Sequence, residues 1–420
     1  MDLSLFSTKS LMETAPEHDV EVRTQYKMPP DANFDQLGEP TWHFESTRSF
    51  TTVAKYAQYQ AQSFQHSLKE EQEKLRATST KQADYEPFGK RRRDDEATMP
   101  MRQLKFGTNV DLSDESKWRS QLVELAKIPA FCRIVAGCNL LTHLGHTVLG
   151  MNTVQLYMKV PGCRTPAHQE NNSFASININ IGPGECEWFA VPYEYWGSIR
   201  QLCAKRGVNF LKGSWWPGLD DLYEANIPVY RFTQKAGDLV YVGGGCIHWV
   251  QATGWCNNVA WNVGPVTSSQ YEMALRSHEW NRLKSYKSLV PMQHLTWQIA
   301  KNLRLTNARL FEHVRQTLIR SLAYCRMVAD YAESVGKQIK LHPRTKGEVA
   351  HYCNTCEIEV FNLLFVLEQN HKFIVHCVDC ARRTDAQLTA FVVLQQITFE
   401  ELSQIFDSCQ LNPHKQGVIC

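Results

Sequence analysis

The chain has 420 residues, of which 43% are hydrophobic and 11% aromatic, and its formal net charge is +2 at pH 7. This length suggests two or three domains with packed cores. No run approaches the ~18 uncharged apolar residues of a membrane helix, and the small net charge excludes a global basic field for nucleic acid. The first residues, "MDLSLFSTKSLMETAPEHD", lack a secretory signal. The 14 cysteines therefore predict a reducing compartment, where metal-binding or core roles are more common than disulfides.

The N-terminal part has a mixed character. Residues 50–76 lack Pro and Gly and end in mixed charges, which predicts a helix. Residues 77–100 are polar and have no apolar period, so they predict a mobile linker. The basic run at 90–93 indicates a nuclear localisation signal or a phosphate contact. Alternatively, it is a solvated charge run that the acidic residues at 94–96 neutralise.

The pattern changes twice further along the chain. From 117 to about 265, short alternating apolar runs such as "VQLYMKV", "SININIG" and "NNVAWNVG" are separated by turn clusters, which predicts an antiparallel β sandwich or barrel. Residues 267–338 are predicted to be helical, and Gly336 is a predicted stop. The predicted apolar stripe of the last helix is Leu310, Phe311, Val314, Leu318, Leu322 and Met327. No repeat of fixed period is found, which excludes a solenoid.

The stretch "RTPAHQENNSF" at 164–174 contains a candidate metal site. His168 and Glu170 are two residues apart, so they share a face only in an extended chain. His248 follows a strand-like run 80 residues further along and offers a third ligand. Two histidines and one carboxylate form the facial triad of non-haem Fe(II) oxygenases, which leaves coordination positions open. The alternative is that these are surface or core polar residues that fall at this spacing by chance.

The neighbouring strands each have a polar face. Gln155, Tyr157 and Lys159 alternate with apolar residues in one strand. In another strand, the residues Ser176, Asn178 and Asn180 alternate with isoleucines. A lysine among hydroxyls and amides suits a small anion such as a dicarboxylate. The alternative for each strand is that its polar face is in water and its apolar face is in the core.

A second candidate metal site lies near the C-terminus. The pairs Cys353 with Cys356, and Cys377 with Cys380, each have C-x-x-C spacing, and twenty residues separate the two pairs. Four thiolates at this spacing predict tetrahedral Zn²⁺. The alternatives are redox pairs or free core cysteines.

Two long stretches carry a family resemblance. "LGHTVLGMNTVQLYMKVPGCRTPAHQENNSFASININIGPGECEWFAVP" and "VYRFTQKAGDLVYVGGGCIHWVQATGWCNNVAWNVGP" resemble the JmjC domain of the UTX and UTY histone lysine demethylases, and the similarity extends from "EVRTQ" to "CARRT". The resemblance implies an α+β protein with a double-stranded β-helix (jelly roll), a helical domain and a GATA-like zinc-binding domain. The expected segments are an N-terminal helical and linker region (1–105), the JmjC domain (106–266), the helical domain (267–350), the zinc module (351–385) and a C-terminal segment that packs on the helical domain (386–420).

The resemblance also implies an activity. It is the demethylation of di- and trimethylated lysine 27 of histone H3 by Fe(II), 2-oxoglutarate and O₂, with release of formaldehyde and succinate. Structural Zn²⁺ is expected, and ascorbate is a candidate reductant. The expected partners are the H3 tail and the nucleosome, with methyltransferase-complex subunits as further candidates. The expected location is the nucleus, and no membrane association is expected.

The family's site residues can be carried over to this sequence. The implied iron ligands are His168, Glu170 and His248. The remaining implied positions are Lys159, Thr165, Ser176 and Asn178 for 2-oxoglutarate, Tyr157 and Gln169 for the methyl-lysine pocket, and Cys353, Cys356, Cys377 and Cys380 for zinc. The sequence departs from the family before His248, where it reads "YVGGGC" and relatives have Trp and Ala-Gly-Thr.

Two other functions remain open at this point. The chain could be a weakly active chromatin-binding scaffold, since the altered loop adjoins a ligand, or a JmjC protein hydroxylase that acts on a non-histone side chain. The family's N-terminal tetratricopeptide array has no counterpart here, so a catalytic fragment or a short form is expected.

Overall fold

The computed structural model describes residues 1–81 and 102–412. The basic run at 90–93 lies outside the described residues. None of the helices in the described part of the chain combines the length and apolarity that a membrane span requires.

The N-terminal region extends one sheet of the central β structure and covers its outer face. Its elements are α1 (Thr8–Thr14), β1 (Asp19–Tyr26), β2 (Thr47–Thr52), α2 (Val53–Lys81), β3 (Gln103–Asp111) and α3 (Glu115–Leu125). Helix α2 continues five residues past the predicted end at 76, because no Pro or Gly occurs before Pro87 to end it. The strands of this region were not predicted. Their pairing partners are distant in sequence, and β1 and β3 alternate only partly in burial.

The central domain contains eight further strands and two helices. They are β4 (Gln155–Lys159), β5 (Arg164–Gln169), β6 (Ala175–Pro183), β7 (Cys186–Val191), α4 (Trp196–Lys205), α5 (Leu219–Glu224), β8 (Tyr230–Gln234), β9 (Leu239–Val242), β10 (Ile247–Ala252) and β11 (Cys256–Val263). One sheet has the strand order β2-β1-β3-β4-β11-β6-β9 and the other β5-β10-β7-β8. A core cluster that includes Phe106, Trp188 and Val250 joins the two sheets face to face. The predicted double-stranded β-helix is confirmed.

Both faces of the central strands β4 and β6 are covered. Leu156 and Ile177 point outward into a core shared with the N-terminal region. On the opposite face, Lys159 is only 3% exposed and Ser176 6%. The alternative of a polar face in water is therefore wrong for these two residues. The N-terminal helices and strands cover the outer side, so the polar side lies between the sheets.

The helical domain follows the β domain directly. Its helices are α6 (Ser268–Leu283), α7 (Met292–Asn302) and α8 (Ala308–Ser334). Helix α8 ends before Gly336, which has a φ of 77° and so occupies the left-handed region that favours glycine. Met327 was wrongly assigned to the buried stripe and is 57% exposed, because Cys325 and Val328 take the inward positions.

The C-terminal part forms the small module and then returns to the helical domain. Its elements are β12 (Ile339–Leu341), β13 (His351–Tyr352), β14 (Glu359–Val360), β15 (Leu363–Gln369), β16 (Lys372–His376), α9 (Val378–Thr384), β17 (Phe391–Gln395) and α10 (Phe399–Ser408). Strand β17 lies inside the sheet ordered β12-β17-β15-β16. Phe399 and Leu402 of α10 share a core cluster with Leu310 and Val314 of α8. The segment from 386 onward thus contributes both to the sheet of the small module and to the core of the helical domain.

Candidate iron and zinc centres

Three side chains predicted as iron ligands converge between the two sheets. His168, on β5, lies opposite His248 on β10, and Glu170 follows the end of β5. One Glu170 carboxylate oxygen, Oε1, is 3.9 Å from His168 Nε2 and 3.6 Å from His248 Nε2. The three potential ligand atoms all lie within 4.8 Å of one another. The extended conformation and the distal histidine that the sequence predicts are both present.

The backbone orients both imidazole rings. His168 Nδ1 is 2.9 Å from the carbonyl oxygen of Pro166, and His248 Nδ1 is 3.3 Å from that of Cys246. A proton on each Nδ1 can be donated to that carbonyl, which leaves each Nε2 with a free lone pair on the side of Glu170. Burial lowers the pKa of His248 to about 4. The ring is therefore neutral at physiological pH, as a metal ligand must be.

The carboxylate of Glu170 is also held in place. Burial by itself acts to raise the pKa of Glu170, but the two histidines and hydrogen bonds from Asn262 and Ser176 keep it below its ordinary value. Asn262 Nδ2 donates to Glu170 Oε2 at 3.0 Å and to the carbonyl of Ala175 at 3.2 Å. Asn262 was not predicted as a site residue, although "NNVAWNV" alternates like the other polar strands.

Trp188 was also missed and contacts His248, the third candidate ligand. Its ring stacks on His248, with centroids 5.7 Å apart and planes inclined by 14°. Its Nε1 donates to Gln234 Oε1 at 2.8 Å. The packing of this tryptophan therefore links the orientation of an iron-ligand candidate to the polar network of the neighbouring strands.

Lys159 and Asn178, two of the implied 2-oxoglutarate residues, lie on either side of strand β11. Lys159 Nζ is 3.7 Å from Cys186 Sγ and has no carboxylate partner among the described residues. Asn178 Oδ1 accepts hydrogen bonds from Asn258 Nδ2 at 3.0 Å and Gln234 Nε2 at 3.2 Å. Its own Nδ2 donates to no described residue. The Asn178 N–H₂ thus has no acceptor among the described residues, and the acceptor described for the Lys159 ammonium is a cysteine sulfur and not a carboxylate.

The other two implied 2-oxoglutarate residues are nearer the metal-ligand candidates. Thr165 pairs with Val250, a member of the core between the sheets. The Ser176 hydroxyl helps to hold the pKa of Glu170 below its ordinary value. The strands that carry the four residues, β4, β5 and β6, thus belong to the two sheets that face each other.

Tyr157 and Gln169, the implied methyl-lysine residues, differ in their surroundings. Tyr157 is half-buried beside Phe106, with ring centroids 6.1 Å apart. Burial and the negative charge of Glu170 raise the pKa of the Tyr157 hydroxyl, so it stays protonated and can donate a hydrogen bond. Gln169 Nε2 donates to the carbonyl of Gly245 at 2.7 Å, which ties β5 to the loop before His248.

The expected departure from the family lies in this same loop. Gly245 has a φ of 71°, and a Cβ there would lie 2.3 Å from the ring of Tyr193. A Cβ at Gly244 would be 2.8 Å from Gln270 Oε1. Cys246 Sγ donates to the carbonyl of Val191 at 3.3 Å. The loop is therefore closely packed beside His248.

The four cysteines of the small module form a second cluster. Their Sγ atoms lie within 4.8 Å of one another, and Cys356 Sγ is 3.7 Å from Cys377 Sγ. Cys353 precedes the turn that leads into β14, whereas Cys377 caps α9 and accepts a hydrogen bond from the Cys380 amide at 3.4 Å. The hydrogen bond from Cys377 lowers the pKa of Cys353 to about 3. Four clustered sulfurs fit tetrahedral Zn²⁺, since a divalent cation would offset the repulsion between thiolates.

Three family models match successive parts of the chain. "JmjC domain, hydroxylase" matches residues 155–263. "Lysine-specific demethylase 6/UTY, C-terminal helical domain" matches 270–325, and "KDM6, GATA-like" matches 342–399. The last range is wider than the module predicted at 351–385. It includes β17 and the sheet neighbours β15 and β16, and it begins directly after β12, the fourth strand of that sheet.

Curated relatives match over most of the chain. Human "Lysine-specific demethylase 6B" is 52% identical over 98% of the chain, and Caenorhabditis elegans "Lysine-specific demethylase jmjd-3.1" is 33% identical over 89%. Dictyostelium discoideum "C-module-binding factor A" is 29% identical over 30% of the chain. The chain spans only 25% of the human relative and 36% of the nematode one. The resemblance to UTX and UTY is confirmed, and the chain belongs to the lysine-specific demethylase 6/UTY family of JmjC proteins.

Proposed function

We propose that the chain is the catalytic region of a histone demethylase that uses Fe(II), 2-oxoglutarate and O₂. Its proposed substrates are the di- and trimethylated forms of lysine 27 in histone H3, and its proposed products include formaldehyde and succinate. The observation that carries the proposal is the convergence of His168, Glu170 and His248 between two sheets. The names of the relatives support the reaction type.

The donor set fits Fe(II). Two imidazoles and one carboxylate are the ligands of the facial triad, and each Nε2 is free because the Nδ1 faces a backbone carbonyl. When bound, the iron would supply the oxidation of the N-methyl carbon with 2-oxoglutarate as the co-substrate. The chain would hold the ligands in place, orient both substrates and exclude water.

Lys159 and Asn178 would orient the co-substrate. The Lys159 ammonium would pair with the distal carboxylate, because no described carboxylate occupies it. Asn178 would donate its free N–H₂, since its oxygen is fixed by Asn258 and Gln234. Thr165 would add a hydroxyl contact, and Ser176 would share its hydroxyl between Glu170 and the co-substrate.

Tyr157 and Gln169 would line the methyl-lysine pocket. The protonated Tyr157 hydroxyl offers a polar contact beside Glu170, and Gln169 is fixed through Gly245. The zinc module, with Cys353, Cys356, Cys377 and Cys380 as ligands, would bind the H3 tail away from the modified lysine. Nucleosomes and methyltransferase-complex subunits are the proposed larger partners, the nucleus is the proposed location, and ascorbate is the proposed reductant.

A peptide assay tests the proposal. A trimethylated H3 peptide incubated with the protein, Fe(II), 2-oxoglutarate and ascorbate should lose methyl groups and release formaldehyde, as read by mass spectrometry. His168→Ala and Glu170→Ala should abolish turnover and keep the fold, because the β core does not depend on the metal. His66→Ala, on the exposed face of α2, is the matched control.

The same assay distinguishes the other functions. A scaffold would bind the peptide without formaldehyde release, and a hydroxylase would add one oxygen to a protein substrate without methyl-lysine. Formaldehyde release that persists in Glu170→Ala with full iron loading would refute the assigned triad.

A further inference from the structure

Two cysteines that the proposed reaction does not use lie together between the sheets. Cys186 begins β7 in one sheet and Cys256 begins β11 in the other. Their Sγ atoms are 3.5 Å apart, and both side chains are buried. Neither belongs to the four-cysteine cluster of the small module. The pair therefore needs an explanation separate from zinc.

The backbone already holds these two strand starts together. The Gly184 amide donates to the Trp255 carbonyl at 2.8 Å, and the Thr253 amide donates to the Glu185 carbonyl at 2.9 Å. A Cβ on Gly184 would lie only 2.6 Å from the backbone of Gly254, so the approach of the chains is as close as glycine allows. A disulfide has an S–S distance of about 2.05 Å. The sulfurs can reach it with a small movement and no change in strand pairing.

The environment makes the two thiols unequal. Lys159 Nζ is 3.7 Å from Cys186 Sγ, and Asn258 Oδ1 is 3.7 Å from each sulfur. The hydrogen bond from Cys256, together with the Lys159 charge, lowers the pKa of Cys186 to about 6, whereas that hydrogen bond and burial raise the pKa of Cys256. Cys186 has the character of an attacking thiolate and Cys256 that of the thiol that resolves the product.

A third cysteine nearby provides a contrast. Cys163 Sγ accepts a hydrogen bond from the Val160 amide at 3.4 Å and donates to the Lys105 carbonyl at 3.5 Å. Burial raises its pKa to about 12. Cys163 is therefore a neutral thiol engaged with the backbone, and it does not compete with Cys186 for an oxidant.

We propose that Cys186 and Cys256 form a peroxide-sensitive oxidation site that bound co-substrate protects. The Cys186 sulfur attacks one peroxide oxygen, the O–O bond breaks and hydroxide leaves, which gives a sulfenic acid. The Cys256 thiol then attacks that sulfur and displaces the hydroxyl group, which leaves with the thiol proton as water. In sum, two thiols and H₂O₂ give one disulfide and two waters.

The protection by co-substrate rests on the proposed function. Lys159 is the residue proposed to pair with the distal carboxylate of 2-oxoglutarate. A bound carboxylate would draw the ammonium away from Cys186, the sulfur that it contacts at 3.7 Å, and would so remove the charge that favours the thiolate. Oxidation by peroxide would thus depend on the contact between Lys159 and the Cys186 thiolate, and bound co-substrate would break that contact.

Peptide mapping tests the site. The zinc-loaded protein, with redox-inert Ni²⁺ in place of iron, is treated with low H₂O₂ and digested without reductant. A linked peptide that joins Cys186 to Cys256 should appear, disappear with dithiothreitol, and form several-fold more slowly with N-oxalylglycine, the co-substrate analogue. In Cys256→Ser, dimedone should label Cys186. In Cys186→Ser, Cys256 should remain unlabelled, and Cys203→Ser, a buried cysteine elsewhere, should behave as wild type.

Each result decides one part of the proposal. Absence of the linked peptide in folded protein, as judged by circular dichroism, would overturn the oxidation site. A shift of the melting temperature by N-oxalylglycine without slower oxidation would overturn the protection. Absence of any N-oxalylglycine binding would count against the proposed function instead. The presence or absence of the linked peptide would then still show whether Cys186 and Cys256 form a disulfide.

Discussion

Asn262 donates a hydrogen bond to Glu170 across the inter-sheet space, with Nδ2 3.0 Å from the carboxylate Oε2. The second hydrogen of the same Nδ2 goes to the carbonyl of Ala175, so the amide cannot rotate freely. Glu170 Oε1 is the oxygen that faces both histidines. Asn262 therefore fixes one carboxylate oxygen so that the other points toward the two histidines, where the metal is proposed to bind.

We predict that Asn262→Ala weakens metal binding by about 10- to 100-fold, as expected when a group that orients a metal ligand is removed. The measurement is an anaerobic Fe(II) or Co(II) titration, which does not depend on turnover. Asn257→Ala is the matched control, because Asn257 lies on the same strand and its amide contacts the Phe6 carbonyl on the outer side. Equal metal affinity in Asn262→Ala and wild type would exclude this positioning role.

The metal-ligand candidates could be predicted from the sequence, whereas the residues that orient them could not. His168 and Glu170 have a local signature, because a spacing of two implies a shared face in a strand. Asn262 and Gln234 have no such signature. Their partners, Glu170 and Asn178, are set by the pairing of strands far apart in sequence. The polar alternation of β11 was visible, but alternation alone does not say which face lies inside.

We predict that Lys159→Ala raises the KM for 2-oxoglutarate by about ten- to hundredfold and changes the peptide KM much less. A charge-assisted hydrogen bond contributes about 1.5–3 kcal/mol. Asn178→Ala should have a smaller effect in the same direction, since it is a neutral donor. Steady-state kinetics with each substrate varied provides the measurement. Lys105→Ala, on the exposed side of β3, is the control, and equal effects on both KM values would remove Lys159 from the co-substrate pocket.

Long-range pairing also limited the prediction of the fold. The β domain could be predicted from residue 117 onward because apolar and polar residues alternate clearly in its short runs. Strands β1, β2 and β3 were missed, and the 29-residue helix α2 dominates the pattern of that region. Met327, in contrast, was predicted to be buried and is exposed. It fits a 3.6-residue period, but the stripe of α8 is set by Cys325 and Val328, which face α7 and the small module.

We predict that His278 makes stability fall in acid. Burial lowers its pKa to about 4, from an ordinary value of 6.5. Between these values the unfolded chain binds a proton that the folded protein excludes, so stability decreases as the pH drops. The loss attributable to this residue from pH 7 to pH 5 is about 2 kcal/mol.

Urea denaturation at the two pH values measures this effect. His278→Gln should be less stable than wild type at pH 7, and the difference between the two proteins should shrink by pH 5, because glutamine does not titrate. His66→Gln, at an exposed position on α2, should parallel wild type. A constant difference between His278→Gln and wild type would show that His278 does not cause the acid loss.

We predict that Cys377→Ser releases zinc and unfolds the small module while the iron site keeps its ligands. Structural zinc supplies folding free energy that a small core cannot replace, and the module's own buried cluster consists mainly of Cys353, Cys377 and Cys380 with three aliphatic residues. Metal analysis and a protease digest of the region from 342 measure the loss. Cys409→Ser, a buried cysteine outside the cluster, is the control and should retain zinc.

The kinetic consequence separates two roles of the zinc module. If it only binds the H3 tail, Cys377→Ser should still convert 2-oxoglutarate to succinate slowly without peptide, because His168 and His248 lie on strands of a sheet separate from that of the module. Demethylation of a long H3 peptide should then fall more than that of a short peptide centred on the methylated lysine. If zinc supports the whole fold, both activities should vanish together and the protein should aggregate, since β15 and β17 share a core cluster with α8. Unchanged demethylation of the long peptide by zinc-free protein would exclude the tail-binding role.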